Sequence, residues 1–445
     1  MERVDVAVIG GGIAGLAAAW HLRHLDVRVL EASGRPGGRI HSEPRGDVWL
    51  NFGAHVFAGA GSATDRLLGA VGVDTAVVSG RLAAVALGDR IAASGRVETY
   101  PFRLPLSHGS RFALVRAGAR LRVAVARYGR VAAERPGEPW WERQRRVLAF
   151  LDDRSFAEFI GPLPPDVDAI FRATLNRSSG EPEELAAGYG IGYFHLVWNR
   201  TDGLSRTILG GPGRLVERLA GSLGERVQTG VEVIEVAETV DGVVVRDAAG
   251  TELAARAAIV TTPAYAARLI VRGLPAETDA ALGAVRYGPY VVGAFLTGET
   301  EPMPWDGIYA LATPGRSFGM LFNTVNVLRR GSRRPGGALM VYAAANAARA
   351  LADLDDAEIE ARFAADLEAL YPQTAGLVRE VVIQRWEHGL PYASVGRGAL
   401  QEALTRPLGR IYLAGDYLGT RYTETACATA EAAARSVSTR LAASR

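Results

Sequence analysis

The stretch Val4-Asp5-Val6-Ala7-Val8-Ile9-Gly10-Gly11-Gly12-Ile13-Ala14-Gly15 decides the fold. Val4 to Ile9 form an apolar run rich in β-branched residues, the composition of a strand buried in a parallel sheet. Gly10, Gly12 and Gly15 follow at the spacing G-x-G-x-x-G. Leu16 to Leu25 then read as a helix, and Val27 to Leu30 as a second strand ending in Glu31. Gly10 permits a tight turn, Gly12 lets the backbone approach a pyrophosphate, and Gly15 lets helix pack on strand. Phosphates would sit on the free N–H groups at the positive end of the new helix. Glu31 stands about twenty residues after Gly10, where a carboxylate can accept hydrogen bonds from a ribose diol. A lone glycine triad is weak evidence, because glycine-rich turns produce it by chance. Here strand, helix, second strand and acid arrive in order.

The next residues narrow the nucleotide. Ser33-Gly34-Arg35-Pro36-Gly37-Gly38-Arg39 extends the site beyond Glu31. This stretch resembles the E-x-x-x-R-x-G-G-R signature of FAD-binding flavoproteins of the amine oxidase and protoporphyrinogen oxidase superfamily. The resemblance implies FAD as cofactor, with the arginines at its diphosphate. Asn51-Phe52-Gly53-Ala54-His55-Val56-Phe57 resembles the family's D-x-G-x-x-x-F segment beneath the flavin, with Asn51 in place of the usual acid. There Gly53 is expected to allow close approach to the ring. His55 has two readings, a group facing the active site and a structural hydrogen-bonding residue.

A second group of motifs lies at the other end of the chain. Arg410 to Leu413 read as a strand, followed by Ala414-Gly415-Asp416, and Thr423 to Thr439 as a long alanine-rich helix. They resemble the family's final A-G-D and M-E-G-A segment. That resemblance places Asp416 at the ribityl or phosphate region and the helix start at the flavin edge, where its dipole favours the reduced anion. Between the ends, Gly210 to Leu223 read as a turn and helix, and Val227 to Val236 as a strand. Gly242 to Val245 read as its hairpin partner. By resemblance Val231 or Glu232 meets the adenine. The implied cofactor-binding set is Gly10, Gly12, Ile13, Ala14, Gly15, Glu31, Ala32, Gly37, Gly38, Arg39, Gly53, Ala54, His55, Val231, Gly415, Asp416, Thr423, Glu424, Thr425 and Ala426.

These pieces predict an α/β fold. A discontinuous Rossmann-like FAD domain is expected from residues 1–80, 205–285 and 395–445. A mixed-sheet substrate domain with a helical insertion is expected from 81–204 and 286–394. Tyr290 to Leu296, Ile308 to Ala312 and Ala338 to Ala343 read as its strands, and Asp356 to Tyr371 as a helix. From about Ser110 to Leu151 the pattern is helical, with Arg116, Arg120 and Arg127 able to share a face and Trp140-Trp141 beyond it. Such a helix can dock on a membrane surface. A solvated arginine face is the preferred reading, because any surface helix looks this way in a chain without lysine.

All 50 basic residues are arginine, so no step can use a lysine amine. The net charge of +2 argues against a general nucleic-acid binder. One cysteine, Cys427, excludes an internal disulfide framework and a multi-cysteine metal site. Its place in the terminal helix implies, on the resemblance, that FAD is held non-covalently. No apolar run reaches the length of a membrane span, and the chain opens into a strand rather than a signal segment. A cytoplasmic location is expected.

Gly180-Glu181-Pro182-Glu183-Glu184-Leu185-Ala186 resembles the G-x-P-E-E-L-S stretch of protoporphyrinogen oxidase-like proteins. Trp386-Glu387-His388-Gly389-Leu390-Pro391-Tyr392 resembles their W-x-x-A-x-P-x-Y signature, with the tyrosine one place early. Trp386, Tyr392, His55 and Tyr193 are the candidates for the substrate face, where aromatic walls would hold an apolar molecule against the flavin. With no lysine, hydroxyl or thiol triad, the chemistry falls to the flavin, and the protein supplies position and electrostatics. Three classes stay open. The first is an oxidase of C–N or C–C bonds with oxygen as final acceptor. The second is a carotenoid-type desaturase, and the third a non-redox mutase or isomerase.

Overall fold

The computed structural model describes residues 2–78, 83–198, 204–329 and 333–443, without the side chain of Asn176. The expected domain boundary at 80–81 therefore lies outside the described residues. Two seven-stranded sheets dominate the described part.

The first sheet is built on the strand Glu2–Ile9. It pairs in parallel with Val27–Glu31 on one side and Glu252–Val260 on the other. Glu252–Val260 then pairs in parallel with Ile411–Leu413 at its far end. These central strands are buried almost completely, as their β-branched composition predicts. The helix Ile13–His21 covers one face together with the terminal helix Thr423–Ala443. Alanines 17, 18, 19, 430, 433 and 434 let the two backbones approach closely in one core.

Val227 to Val236 is not the single strand the apolar pattern suggests. Val227–Thr229 pairs in parallel with Val27–Glu31 at one sheet edge, and Val233–Glu238 pairs with Val243–Asp247 at the opposite edge. Gly230, at φ +75°, begins the break between them. Across it the Gly230 and Val231 amides donate to the carbonyls of Ser33 and Glu31, at 3.0 and 2.9 Å. A period-two pattern cannot reveal that break, because both halves alternate in the same way.

The second sheet runs in the order Val378–Tyr392, Arg286–Thr297, Gly337–Ala344, Met320–Asn323, Ala310–Ala312, Ala84–Leu87, Arg90–Ala92. Its neighbours pair antiparallel, except that Ala310–Ala312 and Ala84–Leu87 are parallel. The sequence reading missed Met320–Asn323 and the first half of Val378–Tyr392. Val378–Tyr392 mixes Arg, Glu, Gln and His with its apolar residues, so its alternation is blurred.

The helices His108–Ala132 and Trp140–Leu148 pack beside Ala187–Trp198 in an aromatic-rich core under the second sheet. Arg116, Arg120 and Arg127 face outward. Arg120 also donates to the Phe159 and Ile160 carbonyls, which ties the helix to the next layer. No helix among the described residues is long and apolar enough to cross a membrane.

Candidate active site

A cavity of about 1000 Å³ opens along the ends of the first sheet and continues against the second. Sheet order fixes its course. Glu31 ends one strand, Gly10 the next, Thr261 follows the third, and Gly415-Asp416 follow the fourth. All five of these residues except Thr261 are ones the sequence singled out, and all line the cavity.

The cradle at Gly10 to Gly15 has the geometry of a phosphate site. Gly10 turns at φ +101°. A Cβ on Gly15 would stand 1.9 Å from the Gly10 carbonyl oxygen, so only glycine lets the helix sit on the turn. A Cβ on Gly12 would meet nothing within 4 Å, so that face is left to the cavity. Gly12 is the N-cap, and no side chain caps the helix. Its first amides are therefore free for an anion. Glu31 accepts from the Gly11 amide at 2.6 Å and from Ser33 at 2.9 Å, which fixes its carboxylate at the cavity wall.

Arg39 joins the two ends of the chain. Its guanidinium bonds Asp416 at 3.0 Å, 377 residues away, and the Gly389 carbonyl at 3.1 Å on the second sheet. Burial would lower the Arg39 pKa, but Asp416 together with Tyr287 and Tyr265 outweighs it and holds the group above its usual range. Gly53 is glycine for a reason other than the expected one. Its missing Cβ would lie 2.1 Å from the Arg39 carbonyl oxygen, so the close approach it permits is chain on chain. Asn51 donates to the Gly53 carbonyl at 3.0 Å and holds that crossing.

The far end of the cavity is aromatic. Tyr290, from Arg286–Thr297, pairs with Trp386 of the neighbouring strand and donates to the Arg177 carbonyl at 2.7 Å. The Trp386 indole donates to the Phe52 carbonyl at 2.6 Å. Tyr193 and Tyr342 complete the wall, with Val292 and Met340 between them. His55 stacks on Phe322 with ring centroids 4.4 Å apart, and neither ring nitrogen has a partner. Burial, helped by the nearby Arg177 charge, presses its pKa down to about 3, so the imidazole is neutral at physiological pH.

Most of the residues expected at the cofactor line this one cavity. They are Gly10, Gly12, Ile13, Ala14, Glu31, Ala32, Gly37, Gly38, Arg39, Gly53, Ala54, His55, Val231, Gly415, Asp416, Thr423 and Ala426. Gly15 lies just beneath it. Glu424 and Thr425 do not face it. The Glu424 carboxylate accepts from the Ala63 and Thr64 amides at 2.8 and 2.9 Å and caps the helix Ala63–Ala70. Thr425 is buried and its hydroxyl accepts from the Arg421 amide. Residues of a helix's first turn project in different directions, and here only Thr423 and Ala426 point inward.

Of the substrate-face candidates, Trp386, His55 and Tyr193 line the cavity, and Tyr392 does not. Strand pairing slips between Gly288 and Tyr290, and Tyr392 emerges beyond the slip, opposite Arg286. It packs over Gly180, in the core with Leu185. The Gly180–Ala186 segment is likewise structural. Buried Glu181 accepts from Arg172 and from the Asn346 amide, binding helices to sheet. Sequence reasoning missed Arg177, Tyr290, Tyr342 and Tyr422 as cavity residues. Tyr422 carried a usable signal, since it directly precedes the terminal helix, where it adopts φ +54°.

The residues present suit a dinucleotide with a flavin. They offer an uncapped helix start, a fixed acid for a ribose, a paired arginine, and an aromatic compartment beyond. The single thiol, Cys427, is buried in the helix core and pushed up to about 12, chiefly by burial.

Comparison with known proteins agrees. The profile of the family described as "Flavin containing amine oxidoreductase" matches residues 13–441. Flavin-containing amine oxidase B of Sus scrofa is 26% identical over 257 residues, 55% of this chain and 47% of that protein. Coproporphyrinogen III oxidase of Staphylococcus aureus is 33% identical over 79 residues, 17% of each chain. The chain thus spans about half the length of the amine oxidase it matches. Among solved structures, cyclohexylamine oxidase from Brevibacterium oxydans superposes with a TM-score of 0.79 at 19% identity, over 99% of both chains. A putrescine-bound wild-type putrescine oxidase superposes with a TM-score of 0.76 at 19% identity, also over 99% of both. With a family profile spanning nearly its whole length and an FAD-shaped cleft assembled from both its ends, this chain belongs to the flavin-containing amine oxidoreductases and takes FAD as its cofactor.

Proposed function

We propose that the protein oxidises a C–N bond of an amine, with oxygen as the final electron acceptor. The observation that carries this reading is the aromatic compartment that continues the FAD cleft. When bound, FAD accepts hydride from the carbon next to nitrogen and passes the electrons on to oxygen. The chain's own contribution is placement. Trp386, Tyr193, Tyr290 and Tyr342 offer rigid aromatic walls that can orient the substrate C–H bond. Glu31 would hold the ribose end of FAD, and Arg39 with Asp416 its middle.

Proton handling is sparse in that compartment. His55 is neutral, and burial keeps the Tyr193 and Tyr342 hydroxyls protonated. His55 is too weak a base to take a proton at neutral pH, so in this reading the substrate arrives as a free amine whose lone pair drives hydride departure. Loss of hydride and a proton leaves an imine, which water hydrolyses to a carbonyl compound with release of ammonia or an amine. Oxygen, taking the two electrons, becomes hydrogen peroxide. We also propose the division into an FAD domain and a substrate domain along the segments expected from the sequence, with one sheet for each.

The test is anaerobic mixing of the yellow protein with amines, reduced porphyrins and polyenes, followed by oxygen. Bleaching by an amine, with peroxide on re-oxidation, supports the reading. Bleaching by a porphyrinogen or polyene alone, or turnover without net redox change, refutes it.

A further inference from the structure

One group in the aromatic compartment has no use in the chemistry above. Arg177 lies on a single helical turn, Asn176–Ser178, and its side chain lines the cavity. Its guanidinium carbon sits 5.0 Å from the Phe322 ring centre and 5.8 Å from that of Tyr193. The hydroxyls of Tyr193 and Tyr342 are within its reach. Tyr290 clamps its carbonyl from the opposite strand, so the turn is held from below.

Arg177 differs from the other arginines that line the cavity, Arg35, which has Glu31 and Glu43 nearby, and Arg39. Arg39 is matched by Asp416. Arg177 has no acidic partner among the described residues, and the groups that act on it are tyrosines. A half-buried cation without a counter-ion becomes costly once a ligand shuts water out, and proteins pair such charges or neutralise them. Arginine cannot deprotonate to escape. Ring faces compensate in part. The five guanidinium donors still match the two oxygens of a carboxylate, and the cavity brings that ligand to them.

We propose that Arg177 is the anchor for a carboxylate on the substrate, and that it makes the compartment reject cationic diamines. This rests on the amine-oxidising reading for the chemistry, but the anchor itself is a binding site and can be read without turnover. The shared ligand chemistry is a carboxylate on an apolar body. An amino acid carries one, and so does a tetrapyrrole propionate.

The test uses the FAD-loaded protein and follows the flavin spectrum and tryptophan fluorescence during titration. One arm compares phenylalanine with its amide and with phenethylamine. The other compares a propionate-bearing porphyrin with its methyl ester, and putrescine serves as the dication. The expected result is that one acid binds at least tenfold more tightly than its counterpart without the carboxylate, and that putrescine leaves both signals unchanged. Arg177→Met should weaken the acid about 10- to 150-fold and erase the preference, with flavin content intact. Arg177→Lys should recover part of it, which a purely structural arginine would not show. If Arg177→Met loses its flavin, the comparison is made in Arg177→Lys and Arg177→Gln, where the preference should fall in that order. Which arm shows the gap identifies the source of the carboxylate. Equal binding of the acid and its carboxylate-free counterpart in the wild type, binding of neither acid, or a gap that survives removal of the guanidinium overturns the proposal. Charge preference without bleaching by any amine would sink the oxidase reading and leave the anchor standing. Bleaching by neutral amines with no charge preference would do the reverse.

Discussion

His55 should make the protein acid-sensitive in a way that one substitution removes. The ring is 4% exposed, stacked on Phe322, and lacks a partner at either nitrogen. Its pKa is about 3 when folded against 6.5 when free. Between those values the unfolded chain binds more protons than the folded one, so stability falls as pH drops through that window. At pH 5 the imbalance is about 1.5 pH units, or about 2 kcal/mol, whereas at pH 7.5 it is close to zero. His55→Phe and His55→Asn do not titrate. Each will have its own constant offset, from ring size in one case and a cavity in the other. Both should nevertheless lose about 2 kcal/mol less than the wild type on going from pH 7.5 to pH 5. For a chain of this size that is about 2 °C in Tm, within reach of calorimetry with excess FAD in all samples. Parallel wild-type and variant curves between those pH values would show that His55 is protonated in the fold, and would refute the burial argument.

Other expectations follow from the cavity. Gly12→Ala should fold with a normal apo Tm and retain FAD poorly, because its Cβ enters only the cavity, whereas Gly15→Ala should fail to fold, as soluble yield and circular dichroism would show. Glu31→Ala should weaken FAD by about 1.5–3 kcal/mol, measured as flavin lost on dialysis, with little change in the far-ultraviolet spectrum. Tyr392→Phe should leave kcat and the flavin spectrum unchanged, because that ring packs over Gly180 outside the cavity; Trp386→Phe should lower kcat by loss of positioning.

How much of this was legible in the sequence depended on what fixed each residue type. Gly10, Gly12, Gly15 and Glu31 could be read because local backbone constraints and one strand–helix unit determine them. Asp416 could be read because it follows a short strand that ends in Gly415 at φ +155°, a conformation that leaves little choice of residue. Arg177 could not be read. It is one of 50 basic residues, all arginine, and becomes special only when Phe322 and Tyr342, from two later strands, fold against it. Tyr392 was misplaced because it was read from a family motif in which its tyrosine stands one place early, and the slip in pairing at Gly288 is invisible in one strand's sequence. Glu424 was misplaced because an acid at a helix start fits equally well as a ligand-facing group and as a cap for a neighbouring helix.

The ion pair between Arg39 and Asp416 sets an order of events during synthesis. The glycine turn and Arg39 leave the ribosome first, yet the strand Ile411–Leu413, the acid and the terminal helix leave last. At about 5–20 residues per second the early half of the cleft waits some 20–75 s for its other half. Throughout that interval the alanine face of Ile13–His21 lacks its cover, and Glu252–Val260, once made, lacks Ile411–Leu413 beside Ala258–Val260. FAD therefore meets a finished cleft only after residues 411–443 have left the ribosome. Nascent chains stalled before residue 410 should expose a sheet edge and an apolar helix face for a chaperone to hold.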